Sequence, residues 1–105
     1  MEQPNLIYID SLSGDDFEFK AKLIATLKRE FPLEVENYNE SANNRNFSEM
    51  AAIVHKIKHK ISILGMEKSY YLAEEFEDNL KKQSAVLKPE FDEVIASLQD
   101  FTASL

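Results

Sequence analysis

His55-Lys56-Ile57-Lys58-His59-Lys60-Ile61-Ser62-Ile63-Leu64-Gly65 is the stretch that decides how this chain is read. Wound into an α-helix at about 100° per residue, it continues an apolar stripe made by Met50, Ile53, Val54, Ile57, Ile61 and Leu64. His55 falls well outside that stripe, with Lys58 between it and the apolar residues. His59 lies one turn further along the polar face, Ser62 two turns along, and the small residues Ala51 and Ala52 one turn back. The helix therefore offers an imidazole to solvent with cations beside it, an arrangement better suited to chemistry than to packing.

The flanks of the stretch define the helix that carries it. Asn46 followed by Glu49 has the form of an N-terminal cap, in which the Asn side chain accepts a free backbone N–H and the acid suits the helix dipole. Gly65 permits a left-handed exit after Leu64. At about 1.5 Å per residue, residues 46–64 would span roughly 28 Å.

Upstream, Phe17, Ala21, Ile24, Leu27, Phe31, Val35, Tyr38 and Ala42 recur at intervals of three or four. Pro32 interrupts the run without changing its phase. One long helix over residues 15–42, kinked near Pro32, is the expectation, with two helices meeting there as the alternative. Residues 1–14 contain Pro4 and an apolar patch over residues 6–9, and read as a loop or short helix closing one end of the core. Ser13 with Asp16 gives a helix-start signal.

Downstream, Met66, Tyr70, Ala73, Phe76 and Leu80 predict a helix over residues 67–82, whose last turn carries Lys81 and Lys82 as the dipole prefers. After a loop over residues 83–88, Pro89 suits the first turn of a final helix with Phe91, Val94, Ile95, Leu98 and Phe101 inward. No segment alternates convincingly like a strand. The expected fold is all-α: a single domain over residues 1–105, built as an antiparallel up-down four-helix bundle with a short N-terminal capping segment.

The chain has 105 residues, enough for one modest core, and no cysteine, which excludes disulfides and thiolate metal sites. Its net charge of −7 argues against nonspecific nucleic-acid binding, because a phosphate backbone would be repelled by most of the surface. Neither a leader-like start nor an apolar run of membrane-spanning length is seen, so a cytoplasmic protein without membrane contact is expected. A monomer is the expected state for a small acidic bundle.

A histidine on a polar helix face is most often a plain surface residue, and a lysine run is most often a solvated face. Here the two coincide. A neutral ring nitrogen is a nucleophile, and Lys56, Lys58 and Lys60 form a local basic cluster that favours an incoming phosphoryl group. Lys58 can reach the ring from the next turn, and Ser62 could donate a hydrogen bond to a phosphoryl oxygen. Ala51, Ala52 and Ile63 are expected on the exposed side near His55, where apolar surface beside a reactive group suits protein docking. Single exposed apolar residues are also common without any function.

The run His55-Lys56-Ile57-Lys58 with Leu64-Gly65 resembles the phosphoacceptor segment of histidine-containing phosphotransfer (HPt) domains, His-x-hydrophobic-Lys-Gly followed by a hydrophobic-Gly pair. Leu72-Ala73-Glu74-Glu75-Phe76-Glu77 resembles the next helix of that family, and Phe31-Pro32 and the four-helix layout are similar too. The resemblance covers most of the chain, over about residues 15–98. It implies that His55 is the phosphoacceptor and Lys58 the lysine that supports the phosphoryl group. It further implies docking of response-regulator receiver domains, with a hybrid histidine kinase as another partner, and no cofactor or metal held by this chain. His59 departs from the family's pattern, which has glycine there. An i+4 side chain leans toward His55, so His59 partly fills the space open to a partner. Lys56 and His59 join Ala51, Ala52 and Ile63 as the expected docking residues.

Three other readings compete. A non-catalytic module could dock a partner through the same face. Histidines at i and i+4 can bind a metal, but a third ligand is needed and the lysines would repel a cation. An autonomous kinase lacks a glycine-rich phosphate loop. Glu74, Glu75, Glu77 and Asp78 read as solvated helix face, with Glu77 near enough to the inner stripe to make a specific contact.

Overall fold

The computed structural model describes residues 2–105, and among these it has five α-helices and no strand. They are α1 (Ile7–Ser13), α2 (Phe17–Asn43), α3 (Phe47–Ile63), α4 (Glu67–Lys81) and α5 (Lys88–Ser104). The short N-terminal helix is thus α1, which sends Ile9 fully into the core. α3 packs against both α2 and α4, and α5 packs against α4 and back onto α2.

Local chemistry explains most boundaries. Asp16, rather than Ser13, caps α2 by accepting the N–H of Phe19 at 2.9 Å; Ser13 instead closes α1, its hydroxyl donating to the carbonyl of Ile9 at 2.7 Å. Asn46 caps α3 as the sequence implies, its Oδ1 accepting the Glu49 N–H at 3.1 Å and its Nδ2 donating to the Glu49 carboxylate at 3.1 Å. Gly65 leaves α3 with φ +78°, a conformation that suits glycine. α4 has no cap from its own Met66; the carboxylate of Glu2 accepts the Lys68 and Ser69 N–H groups at 2.9 and 2.8 Å instead. Pro89 stands in the first turn of α5.

α2 runs unbroken through Pro32, so the one-helix expectation holds rather than two helices meeting. Proline has no N–H to give the carbonyl of Lys28 in the preceding turn, and both Pro32 and Lys28 are exposed residues. The expected inner stripe of α2 begins late. Phe17 is 77% exposed and Ala21 is exposed, because α2 has 27 residues against 17 in α3 and its first turns outrun the core.

Phe31, Val35 and Tyr38 of α2 meet Met50, Val54, Ile57 and Ile61 of α3, Phe76 and Leu80 of α4, and Phe91 and Leu98 of α5 in one buried cluster. Phe91 stacks edge-on to Tyr38 at 5.5 Å and tilted against Phe76 at 5.1 Å, tying three helices together. Each such side chain contributes about 1.5–3 kcal/mol by leaving water. Tyr38 also donates its hydroxyl to Asp92 at 2.8 Å, and burial together with that carboxylate pushes its pKa up.

Two lysines of α3 bind its neighbours from opposite flanks. On one flank Lys60 Nζ reaches Glu34 at 2.8 Å and Glu30 at 3.1 Å, both on α2. Burial alone would lower the Lys60 pKa, but the paired carboxylates outweigh it and raise it. On the other flank Lys58 Nζ reaches Glu77 of α4 at 3.1 Å. Lys58 and Lys60 diverge by about 200° around the helix, so their two bonds leave an outward arc between them. His55 and His59 occupy that arc.

Candidate functional site

His55 projects from the middle of α3 with its side chain 52% exposed, and its Nδ1 lies 3.2 Å from Oε1 of Glu77. Glu77 sits one element away on α4 and is nearly buried, at 6% exposure. Its carboxylate gathers three partners. Oε1 takes His55 Nδ1 and Lys58 Nζ at 3.2 and 3.1 Å, and Oε2 takes Lys81 Nζ at 3.2 Å. Burial by itself would raise the Glu77 carboxyl, but the hydrogen bonds from Lys58, Lys81 and His55 prevail and hold its pKa below the usual carboxylate range.

That ionised carboxylate decides the state of the imidazole. A carboxylate accepts and cannot donate, so the contact requires the proton on Nδ1. In the neutral ring the lone pair is then on Nε2, the nitrogen not engaged by Glu77, on a side chain that is about half exposed.

Lys58 is placed differently from the exposed cation expected beside the ring. It is buried, at 8% exposure, with Nζ on Glu77 and 5.6 Å from the centre of the Tyr70 ring. Burial would lower its pKa and Glu77 more than restores it, so the net shift is upward. Its charge is committed to Glu77 in this state.

An open groove of about 580 Å³ runs beside His55 between α3 and α4. Ala51, Ala52 and Leu80 supply its apolar lining, and Lys56 and Lys81 its cations. Ala52 is exposed as expected, whereas Ala51 is buried, at 4%, because α4 packs against that edge of α3. Ile63 is half-buried against the core and does not line this groove.

Ser62 is exposed, but it lines a different cleft, of about 390 Å³, with Tyr8, Gly65, Tyr70 and Tyr71. Seven residues of helix separate it from His55 by about 10 Å, too far for both to hold one phosphoryl group. His59 is exposed and stands edge-on to His55, ring centres 5.0 Å apart and planes at 88°. Among the described residues, no group of three His, Cys, Asp or Glu side chains converges as metal ligands would.

Two residues of the site go beyond the roles read from the sequence. Glu77 is the partner of His55, although the acidic run over residues 74–78 reads mainly as solvated face. Its signal was its position near the inward stripe of α4. Lys81 is more than a cation at a helix end: it is the i+4 partner of Glu77 and lines the groove. No helix is long and apolar enough to cross a membrane among the described residues. Comparison of the chain with protein-family models, curated protein sequences and solved structures gave no significant match.

Proposed function

We propose that this protein is a phosphorelay intermediate of the HPt type, in which His55 accepts a phosphoryl group from an aspartyl phosphate on a receiver domain and passes it to another receiver aspartate. The observation that carries the reading is the Nδ1 contact of His55 with the ionised Glu77, which presents the Nε2 lone pair beside a cationic groove. The helical layout supports it: α2 to α5 each pack on the next and α5 returns to α2, as an antiparallel up-down four-helix bundle would.

In the proposed step the Nε2 lone pair forms the N–P bond while the P–O bond to the aspartyl carboxylate breaks, and the carboxylate leaves with the electron pair. Nδ1 keeps its proton throughout, so the phosphorylated ring carries a positive charge facing Glu77. The same pairing orients the nucleophile before the step and stabilises the product after it. Lys58 supports the phosphoryl group through the field it adds and by neutralising Glu77. The receiver supplies the metal ion and most of the catalytic groups, and docks over Ala52, Lys56 and the groove.

The competing reading is a docking module that binds a receiver through this face without transfer, and the space that His59 occupies beside His55 is the observation that favours it. Incubation with a phosphorylated receiver separates the two. Transfer of acid-labile label to the wild type and not to His55→Gln supports the relay; binding without label supports the module.

A further inference from the structure

The site has more positive charge than its resting contacts need, and the two lysines on Glu77 are held in different ways. Lys58 is enclosed: its side chain is 10% exposed, its Nζ is on Oε1 of Glu77, and Tyr70 lies beneath it. Withdrawing it would strip a nearly buried carboxylate of its closest buried counter-charge. Lys81 is held lightly. Its side chain is 61% exposed, it takes only Oε2, and it comes from the last turn of α4 at the rim of the groove that His55 lines. Because the Lys81 side chain stays largely in solvent, its release from Glu77 costs less than release of Lys58 would.

We propose that Lys81 is the mobile cation of the site, pairing with Glu77 at rest and turning to the phosphoryl oxygens once Nε2 of His55 carries them. The proposal rests on the reading of His55 as phosphoacceptor. A phosphoryl group brings up to about two negative charges and three acceptor oxygens into the groove. Glu77 then faces a ring that has become cationic, so the positive charge it loses when Lys81 leaves is replaced by the imidazolium beside it. Lys81 and His55 hold the two oxygens of one carboxylate, so the lysine starts close to the ring it would turn to. Lys56 also lines the groove, but it follows His55 directly and diverges from it by about 100° around α3, without the tether that Glu77 gives Lys81.

The test uses the intact protein with phosphoramidate as the donor, whose zwitterion gives its phosphoryl group to the ring and releases ammonia. Phosphorylation and decay rates of labelled His55 would be measured for wild type, Lys81→Met, Lys81→Arg and Lys82→Met, with the phosphoryl pKa followed by ³¹P NMR. A charge-assisted hydrogen bond of the expected kind predicts that Lys81→Met slows labelling or hastens decay by about tenfold or more, raises the phosphoryl pKa, and is rescued in part by Lys81→Arg. Lys82→Met should change little, and thermal unfolding should show all variants folded. Wild type labelled at His55 with Lys81→Met behaving alike would overturn the role of Lys81 and leave the phosphoacceptor reading standing. An equal loss in Lys82→Met would reduce the effect to general charge and overturn it as well. A wild type that takes no label, or the same label as His55→Gln, would overturn both.

Discussion

Nδ1 of His55 lies 3.2 Å from Oε1 of Glu77, a residue 22 positions later in the chain and on the next helix. The contact makes α4 part of the chemistry of α3. Because packing fixes that carboxylate and two lysines keep it charged, the Nδ1 contact selects one neutral tautomer of the ring.

Glu77→Gln tests that relationship. The amide can accept the Nδ1 proton but brings no charge, so phosphorylation of His55 should slow by about tenfold or more while the helical content is kept. Single-turnover transfer from a phosphorylated receiver measures it. An unchanged rate would mean that Glu77 serves only packing.

Stability should respond to pH from both ends of the same pair. The folded pKa of Glu77 lies below its ordinary value of 4.5, so the stability from its pairing is present above that value and is lost as pH falls through the folded pKa. Lys58 is raised above 10.5, so its contribution is present below that value and is lost as pH rises through the folded pKa. Lys58→Met leaves the nearly buried Glu77 short of its closest counter-ion and should cost roughly 3 kcal/mol at neutral pH. Urea unfolding across the acid range should show a flatter profile for Glu77→Gln than for wild type; parallel profiles would contradict the pairing.

The N-terminal segment is latched onto the turn after α3. The Asn5 N–H donates to the Leu64 carbonyl at 2.8 Å, and a Cβ on Gly65 would stand 2.6 Å from the Asn5 side-chain oxygen. Gly65→Ala therefore meets both a positive φ and a collision, and should cost about 2 kcal/mol or more. In an Asn5→Ala background the same change should cost less by about 1 kcal/mol, which a double-mutant cycle in urea resolves. Additive costs would show that Asn5 does not press on the turn.

His59→Gly removes the ring set edge-on to His55. If crowding limits access to Nε2, transfer from a receiver should become faster, although glycine inside α3 should lower stability by about 0.5 kcal/mol. A change in receiver affinity alone, with no transfer in either protein, would favour the docking module.

The helices were legible because their signals are local. The three-four spacing of Met50 to Leu64, the Asn46 cap and the Gly65 exit need no tertiary knowledge, and all three appear as expected. Phe17 and Ala21 fit the same rhythm yet stay exposed, since periodicity cannot say where a core ends. The outward placement of His55 was readable from the wheel. Its bond to Glu77 was not, because that contact depends on how α3 and α4 rotate against each other. The same rotation buries Lys58 and Ala51, and helix length separates Ser62 from the ring.

The most direct measurement is transfer of labelled phosphoryl from a phosphorylated receiver domain to the wild-type protein and to His55→Gln, followed by acid treatment. The account predicts acid-labile label on the wild type, none on His55→Gln, and return of the label to a second receiver. Label on neither protein, or equally on both, would contradict it.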